Sequence, residues 1–179
     1  DINQALKGIK REIDRIIELI QGIEDLTQAE ASFFKKGKKV EIDLYDFIKE
    51  TLSAYEHPIS EKGLKLELEG TSMKVKTYPE KLQIILKNLI SNAYRNTDRG
   101  MIKVSWGQMQ RGFYISVKDT GRGMDREELS RVFDRFYKGK GSPGRGIGLS
   151  IVKELVDTLD GKIHVESTPG KGSEFRVEF

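Results

Sequence analysis

The sequence predicts an α+β two-layer sandwich: a mixed, mostly antiparallel sheet with helices on one face, preceded by one long helix of coiled-coil type. Three observations predict it. Ile2, Leu6, Ile9, Ile13, Ile16, Ile20 and Ile23 recur at alternating steps of four and three, the a/d rhythm of a helical seam. After residue 40 the chain alternates strand-like and helix-like segments with few simple crossovers between parallel strands, which argues against a doubly wound fold. Within that part, Leu82, Ile85, Leu86, Leu89, Ile90 and Ala93 form one apolar stripe, the mark of a helix laid on a sheet.

Each element follows from local chemistry. Residues 1–33 read as the helix, with Lys10, Arg11, Glu12, Asp14 and Arg15 among the positions off the seam and Gly8 and Gly22 as weak points. The run 34–39 breaks the rhythm with lysines and a glycine and reads as a solvated linker. Residues 40–179 then form the main domain. A short strand at 40–43 ends in Asp43, a good N-cap for a helix over 44–55. Strands follow at 64–69 and 73–77. Pro79 suits the first turn of the next helix, which runs to about residue 95. Strands 101–106 and 113–118 read as a hairpin around Gly107–Gly112. A glycine-rich stretch, 121–148, leads into a helix over 149–159. The last strands, 163–166 and 174–179, are joined through Thr168-Pro169-Gly170. His57 with Pro58 reads as loop, and His164 as part of a strand.

Composition removes several function classes. The 179 residues hold 31 Lys and Arg against 28 Asp and Glu, a net charge of +3. So small an excess, without interleaved aromatics, gives no reason to expect nucleic acid. No apolar run is long enough to span a bilayer. There is no Cys and there are two His, which excludes disulfides, cysteine nucleophiles and a histidine-rich metal centre and fits a reducing cytoplasm.

Three segments break local rules in ways that suggest chemistry. Asn88, Asn92 and Arg95 share one face beside the apolar stripe, although asparagine is a poor helix former. An amide oxygen is a neutral hard ligand that suits Mg²⁺. Taken alone, the pair also reads as two surface amides. Asp119 ends a strand and is followed by Thr120-Gly121-Arg122-Gly123-Met124. Its carboxylate can accept a hydrogen bond from an exocyclic amino group, or simply close an Asx turn. The D-T-G string also occurs in aspartic proteases, but one copy beside an arginine suits a proton-sharing dyad poorly. Gly144-Arg145-Gly146-Ile147-Gly148-Leu149 runs into a helix, and bare backbone N–H groups at a helix start favour phosphate. Alone it is equally a run of plain turns. It is neither a dinucleotide-binding fingerprint nor a P-loop.

Together the segments are more specific. Asn88-Leu-Ile-Ser-Asn92-Ala, Asp119-Thr-Gly-Arg-Gly-Met, Phe133-Asp-Arg-Phe136-Tyr and Gly144-Arg-Gly-Ile-Gly-Leu occur in that order. They closely resemble the N, G1, F and G2 boxes of two-component sensor histidine kinases. The resemblance covers about residues 40–179, and the N-terminal helix resembles the second helix of the dimerisation and phosphotransfer domain. It implies the Bergerat (GHKL) fold shared with gyrase, heat-shock chaperone and mismatch-repair ATPases. It also implies ATP and Mg²⁺ as cofactors and a cytoplasmic homodimer, in a parent protein of unknown anchoring. Position by position, Asn92 matches the Mg²⁺-binding Asn, with Asn88 as a second metal contact. Asp119 matches the reader of the adenine amino group, and Gly121 and Gly123 shape the adenine pocket. Gly144, Gly146, Gly148 and Leu149 match the phosphate end. Phe133 and Phe136 match lid anchors. Asn88 and Arg95 take the catalytic positions, and Lys138, Lys140 and Arg145 are further charge compensators.

Relatives that hydrolyse ATP carry Glu where this chain has Asn88, and an amide cannot take a proton from water. That fits an enzyme that passes its phosphoryl group to a protein. Two departures stand out. Arg95 and Asn96 replace the usual Lys-Tyr pair, so a ring is lost at Asn96. Neither His57 nor His164 matches the phosphoacceptor, so the acceptor His is expected on another helix and a response-regulator Asp after it. Rival readings are a GHKL ATPase, a protein-serine kinase, or a non-catalytic interaction module.

Overall fold

The computed structural model describes residues 1–34, 37–135, 137, 139 and 147–179, with backbone only at 18, 19, 21, 25 and 28–34 of the first helix. That helix, α1, spans Ile2–Phe34, so Phe34 closes the helix rather than opening the linker. Strand β1 (Val40–Asp43) ends in Asp43, whose carboxylate accepts the Asp46 N–H at 3.2 Å and caps α2 (Leu44–Glu61). Helix α2 corrects the expectation of a stop near residue 55. His57 and Pro58 lie inside it, not in a loop. Pro58 removes one bond to the exposed Ala54, and the final turn still buries Ile59, which offsets that loss.

Strands β2 (Lys65–Glu69) and β3 (Lys74–Thr77) precede α3 (Pro79–Asn96). The hairpin β4 (Met101–Gln108) and β5 (Phe113–Asp119) is followed by α4 (Arg126–Arg131). Helix α4 was not anticipated in the glycine-rich stretch. A capping box between Asp125 and Glu128 starts it. Helix α5 (Gly148–Thr158) and strands β6 (Lys162–Thr168) and β7 (Gly172–Glu178) complete the chain.

The main sheet has the order β2-β4-β5-β7-β6, and β1 pairs with β3 in a separate two-stranded sheet. Among the described residues only β2 with β4 is parallel; the other ladders are antiparallel. Alternation sorts the two faces. Ile102, Val104, Trp106, Ile115, Val117, Phe175 and Val177 point into the core beneath Leu52, Leu82, Ile85, Leu86, Leu89, Val152 and Leu155 of the helices. The opposite face is polar: Ser116 donates to Glu174 at 2.7 Å, and Arg176 stacks 3.9 Å from the Tyr114 ring. His164 on β6 is exposed, 3.4 Å from Glu178. This two-layer arrangement leaves the end of the central strand, Asp119, beside the helix layer.

Helix α1 runs against α5 and α3, and its Gly22 is buried. Its isoleucine seam is not covered: Ile2, Leu6, Ile9, Ile13, Ile16, Ile20 and Ile23 are 50–78% exposed. No described helix is long and apolar enough to cross a membrane.

Candidate functional site

Helix α3 builds one wall of the site. Its apolar stripe locks the helix to the sheet and leaves Asn88, Asn92 and Asn96, one turn apart, on a half-buried flank. The Asn88 side chain donates to Ile84 O at 2.8 Å, which turns its oxygen outward. That oxygen faces Gly148 so closely that a Cβ there would lie 2.8 Å away. Gly148 is the first residue of α5, whose start has no side-chain cap and no acidic residue in its first turn. One end of the Asn flank therefore meets an anion-compatible helix terminus.

The other end of the flank meets the loop after β5. Asn96 donates to Asn92 Oδ1 at 3.1 Å and to Asn92 O at 2.8 Å. The Arg122 N–H donates to Asn96 O at 3.1 Å. A Cβ on Gly121 would overlap Asn96 O, and one on Gly123 (φ +66°) would overlap Thr168 O. Only glycine permits these approaches.

Asp119 lies between them, 3% exposed. Its Oδ1 accepts the Gly121 N–H at 2.8 Å. Burial pushes its pKa above the ordinary carboxylate value; the Gly121 and Ser173 N–H groups, the Thr97 hydroxyl and the Arg122 charge pull the other way without cancelling it. A buried acceptor at a strand end is suited to reading a ligand N–H donor. Gly172 (φ +112°) brings β7 so near that a Cβ would overlap Asp119 O. Ser167 accepts the Met124 N–H at 2.7 Å, and Gly170 donates to Arg122 O at 2.7 Å, so the last hairpin braces the loop.

The expected residues divide as follows. Asn88 and Asn92 lie on the α3 flank, with Gly148 and the half-buried Leu149 at one end of it and Asp119, Gly121 and Gly123 at the other. Arg95 is exposed on the last turn of α3. Phe133 packs edge-on against Phe175, 6.4 Å between ring centres. Phe136, Lys138, Lys140, Gly144, Arg145 and Gly146 lie outside the described residues. Sequence reasoning missed Thr97, Gly172 and Ser173 around Asp119, and took Asn96 only as a lost ring. The 88–92–96 spacing was the available signal for Asn96. Gly172 and Ser173 carried none, because they reach the site only through sheet pairing, Ser173 opposite Asp119.

Comparison with known proteins decides the family. The family described as "Histidine kinase-, DNA gyrase B-, and HSP90-like ATPase" matches residues 77–179, more than half of the chain. The chain belongs to that family. Membership of this ATPase family implies ATP binding. The chain is 29% identical over 185 residues to sensor protein SrrB of Staphylococcus aureus (strain MRSA252), covering 99% of this chain and 32% of that protein. It is also 29% identical to the phosphate regulon sensor protein PhoR of Pseudomonas aeruginosa, covering 98% and 41%. It thus spans about a third to two-fifths of these curated relatives. Among solved structures, the catalytic domain of histidine kinase ThkA is 26% identical with a TM-score of 0.69, covering 79% of this chain and 97% of that one. Acinetobacter baumannii histidine kinase AdeS shares the fold, with a TM-score of 0.75 at 22% identity, covering 97% and 82%.

Proposed function

We propose that the chain is the ATP-binding catalytic part of a two-component sensor histidine kinase, working in the cytoplasm. The observation that carries the reading is the walling of one α3 flank by two glycine-dependent segments, Gly148 at one end and Gly121–Gly123 with buried Asp119 at the other. Asp119 would read the adenine amino group. Asn92, with Asn88 beside it, would hold Mg²⁺; the donor set fits, because Asn88 turns an amide oxygen outward and an amide oxygen suits this ion. When bound, the metal would neutralise phosphate charge. The chain's own residues position and compensate: the α5 start and Gly144, Gly146 and Leu149 at the phosphates, Arg95, Lys138, Lys140 and Arg145 as cations. Asn88 takes no proton from water, which favours transfer over hydrolysis.

Helix α1 would be the second helix of the dimerisation and phosphotransfer domain, the run after it up to residue 39 a linker and 40–179 the catalytic domain. The acceptor His would lie on the first helix of that domain, in the same or the partner subunit of a homodimer, and a response-regulator Asp would receive the phosphoryl group. SrrB and PhoR, sensor proteins by name, support this.

Calorimetric titration with a non-hydrolysable ATP analogue, with and without Mg²⁺, tests the reading. Mg²⁺-dependent binding is expected, lost in Asp119→Asn. Labelled ATP and a His-bearing helical domain should then give an acid-labile, base-stable phosphoprotein. Phosphoserine instead, or no nucleotide binding by the native chain, would overturn the proposal in favour of its rivals.

A further inference from the structure

The described site contains a chain of polar contacts that nucleotide recognition alone does not require. It starts at Glu128, which is 5% exposed. Its Oε2 accepts the Asp125 N–H at 3.0 Å and its Oε1 accepts Arg122 Nη1 at 2.9 Å. Burial raises the Glu128 pKa, but the Asp125 bond and the Arg122 charge outweigh it and hold the carboxyl below its ordinary value. Arg122 is thereby fixed, and its Nε donates to Asn96 Oδ1 at 3.2 Å. Guanidinium has only donors. Asn96 must therefore turn its oxygen to Arg122 and its amide nitrogen to Asn92, where it donates to Oδ1 at 3.1 Å. One lone pair of that oxygen is used and its direction is set. A second arm leaves the same ion pair: a Cβ on Gly139 would overlap Glu128 Oε1 and Arg122 Nη2.

We infer that Arg122 is a positioning residue for the phosphate end of the site: seated on Glu128, it dictates the orientation of the Asn92 oxygen through Asn96. This rests on the nucleotide reading above and extends it to Arg122, Glu128 and Asn96. Among the described residues the planar fork serves Glu128 and Asn96 in fixed directions, which a lysine ammonium does not reproduce. Charge at position 122 is therefore not enough.

The experiment compares two ligands on the full chain. Adenosine, followed by NMR shifts, uses only the Asp119 end. A non-hydrolysable ATP analogue with Mg²⁺, followed by calorimetry, uses both ends. For Arg122→Lys the analogue should bind about tenfold more weakly, the size expected for loss of one charged hydrogen bond. The Mg²⁺ concentration needed for half-maximal binding should rise. Adenosine affinity should stay within about twofold, inside normal surface-substitution effects. Glu128→Gln keeps an oxygen for the Asp125 N–H while removing the ion pair, and should show the same split if Arg122→Lys folds poorly. Equal losses for both ligands, or none for either, overturn the inference: the first would make Arg122 merely structural, the second irrelevant. A native chain that binds neither ligand overturns the nucleotide reading itself, which this pair of ligands keeps distinct.

Discussion

Helices α1 and α3 carry apolar stripes of similar strength and meet opposite fates. In α3, Leu82, Ile85, Leu86, Leu89 and Ile90 are buried to 1% or less under the sheet and α5. In α1 the seam isoleucines stay half exposed or more. Periodicity sets which face of a helix is apolar; only neighbouring elements decide whether it is dry. The two rhythms differ. The α3 stripe drifts with the 3.6-residue turn and suits a sheet, while the α1 seam keeps the strict 3.5 repeat that suits another helix.

Substitutions sharpen the contrast, from large effects to small. Leu89→Ala should lower unfolding stability by about 2–5 kcal/mol, because a buried leucine leaves a cavity; denaturant titration measures it. A loss like that of a surface site would break the comparison. Gly172→Ala should cost about 1–3 kcal/mol from backbone strain and also displace Asp119, so thermal unfolding and analogue binding should fall together. Asp119→Asn should separate the two. The folded carboxyl has a raised pKa, so its contribution to stability falls as pH rises from the ordinary value through the folded one and stays unfavourable at neutral pH. Removing the charge should leave the melting temperature at pH 7 equal or higher, although nucleotide binding is lost. A melting temperature that collapses would show that the Ser173 and Gly121 bonds outweigh burial. Ile13→Ala on the α1 seam should change stability by no more than about 0.5 kcal/mol in dilute solution, and a larger, concentration-dependent effect would mean the seam is covered there.

The sequence was most legible where one period governs a whole element. The α3 stripe and the alternation of β4 and β5 fix element type, face and approximate ends. It was less legible where a local rule is overridden: Pro58 argued for a helix end, but burial of Ile59 carries α2 one turn further. Helix α4 is too short for a period and rests on the reciprocal Asp125–Glu128 cap, which glycine-rich surroundings disguise. Within the site, the Asn88–Asn92 spacing and the glycines after Asp119 announce themselves as violations of propensity. Arg122 and Glu128 do not, because arginine and glutamate are ordinary in exposed loops and helix starts; their contact is a product of how the loop folds back on α4.

The pairing of β7 with β5 places Ser173 opposite Asp119, so the carboxylate gains one wall from the last hairpin of the sequence. During synthesis the helices and the β4–β5 hairpin emerge first. A ribosome-bound chain that stops before β7 would leave Asp119 without its Ser173 neighbour. If Asp119 reads the nucleotide as proposed, capture waits until β7 docks, and a translation product broken off upstream would not compete for ATP.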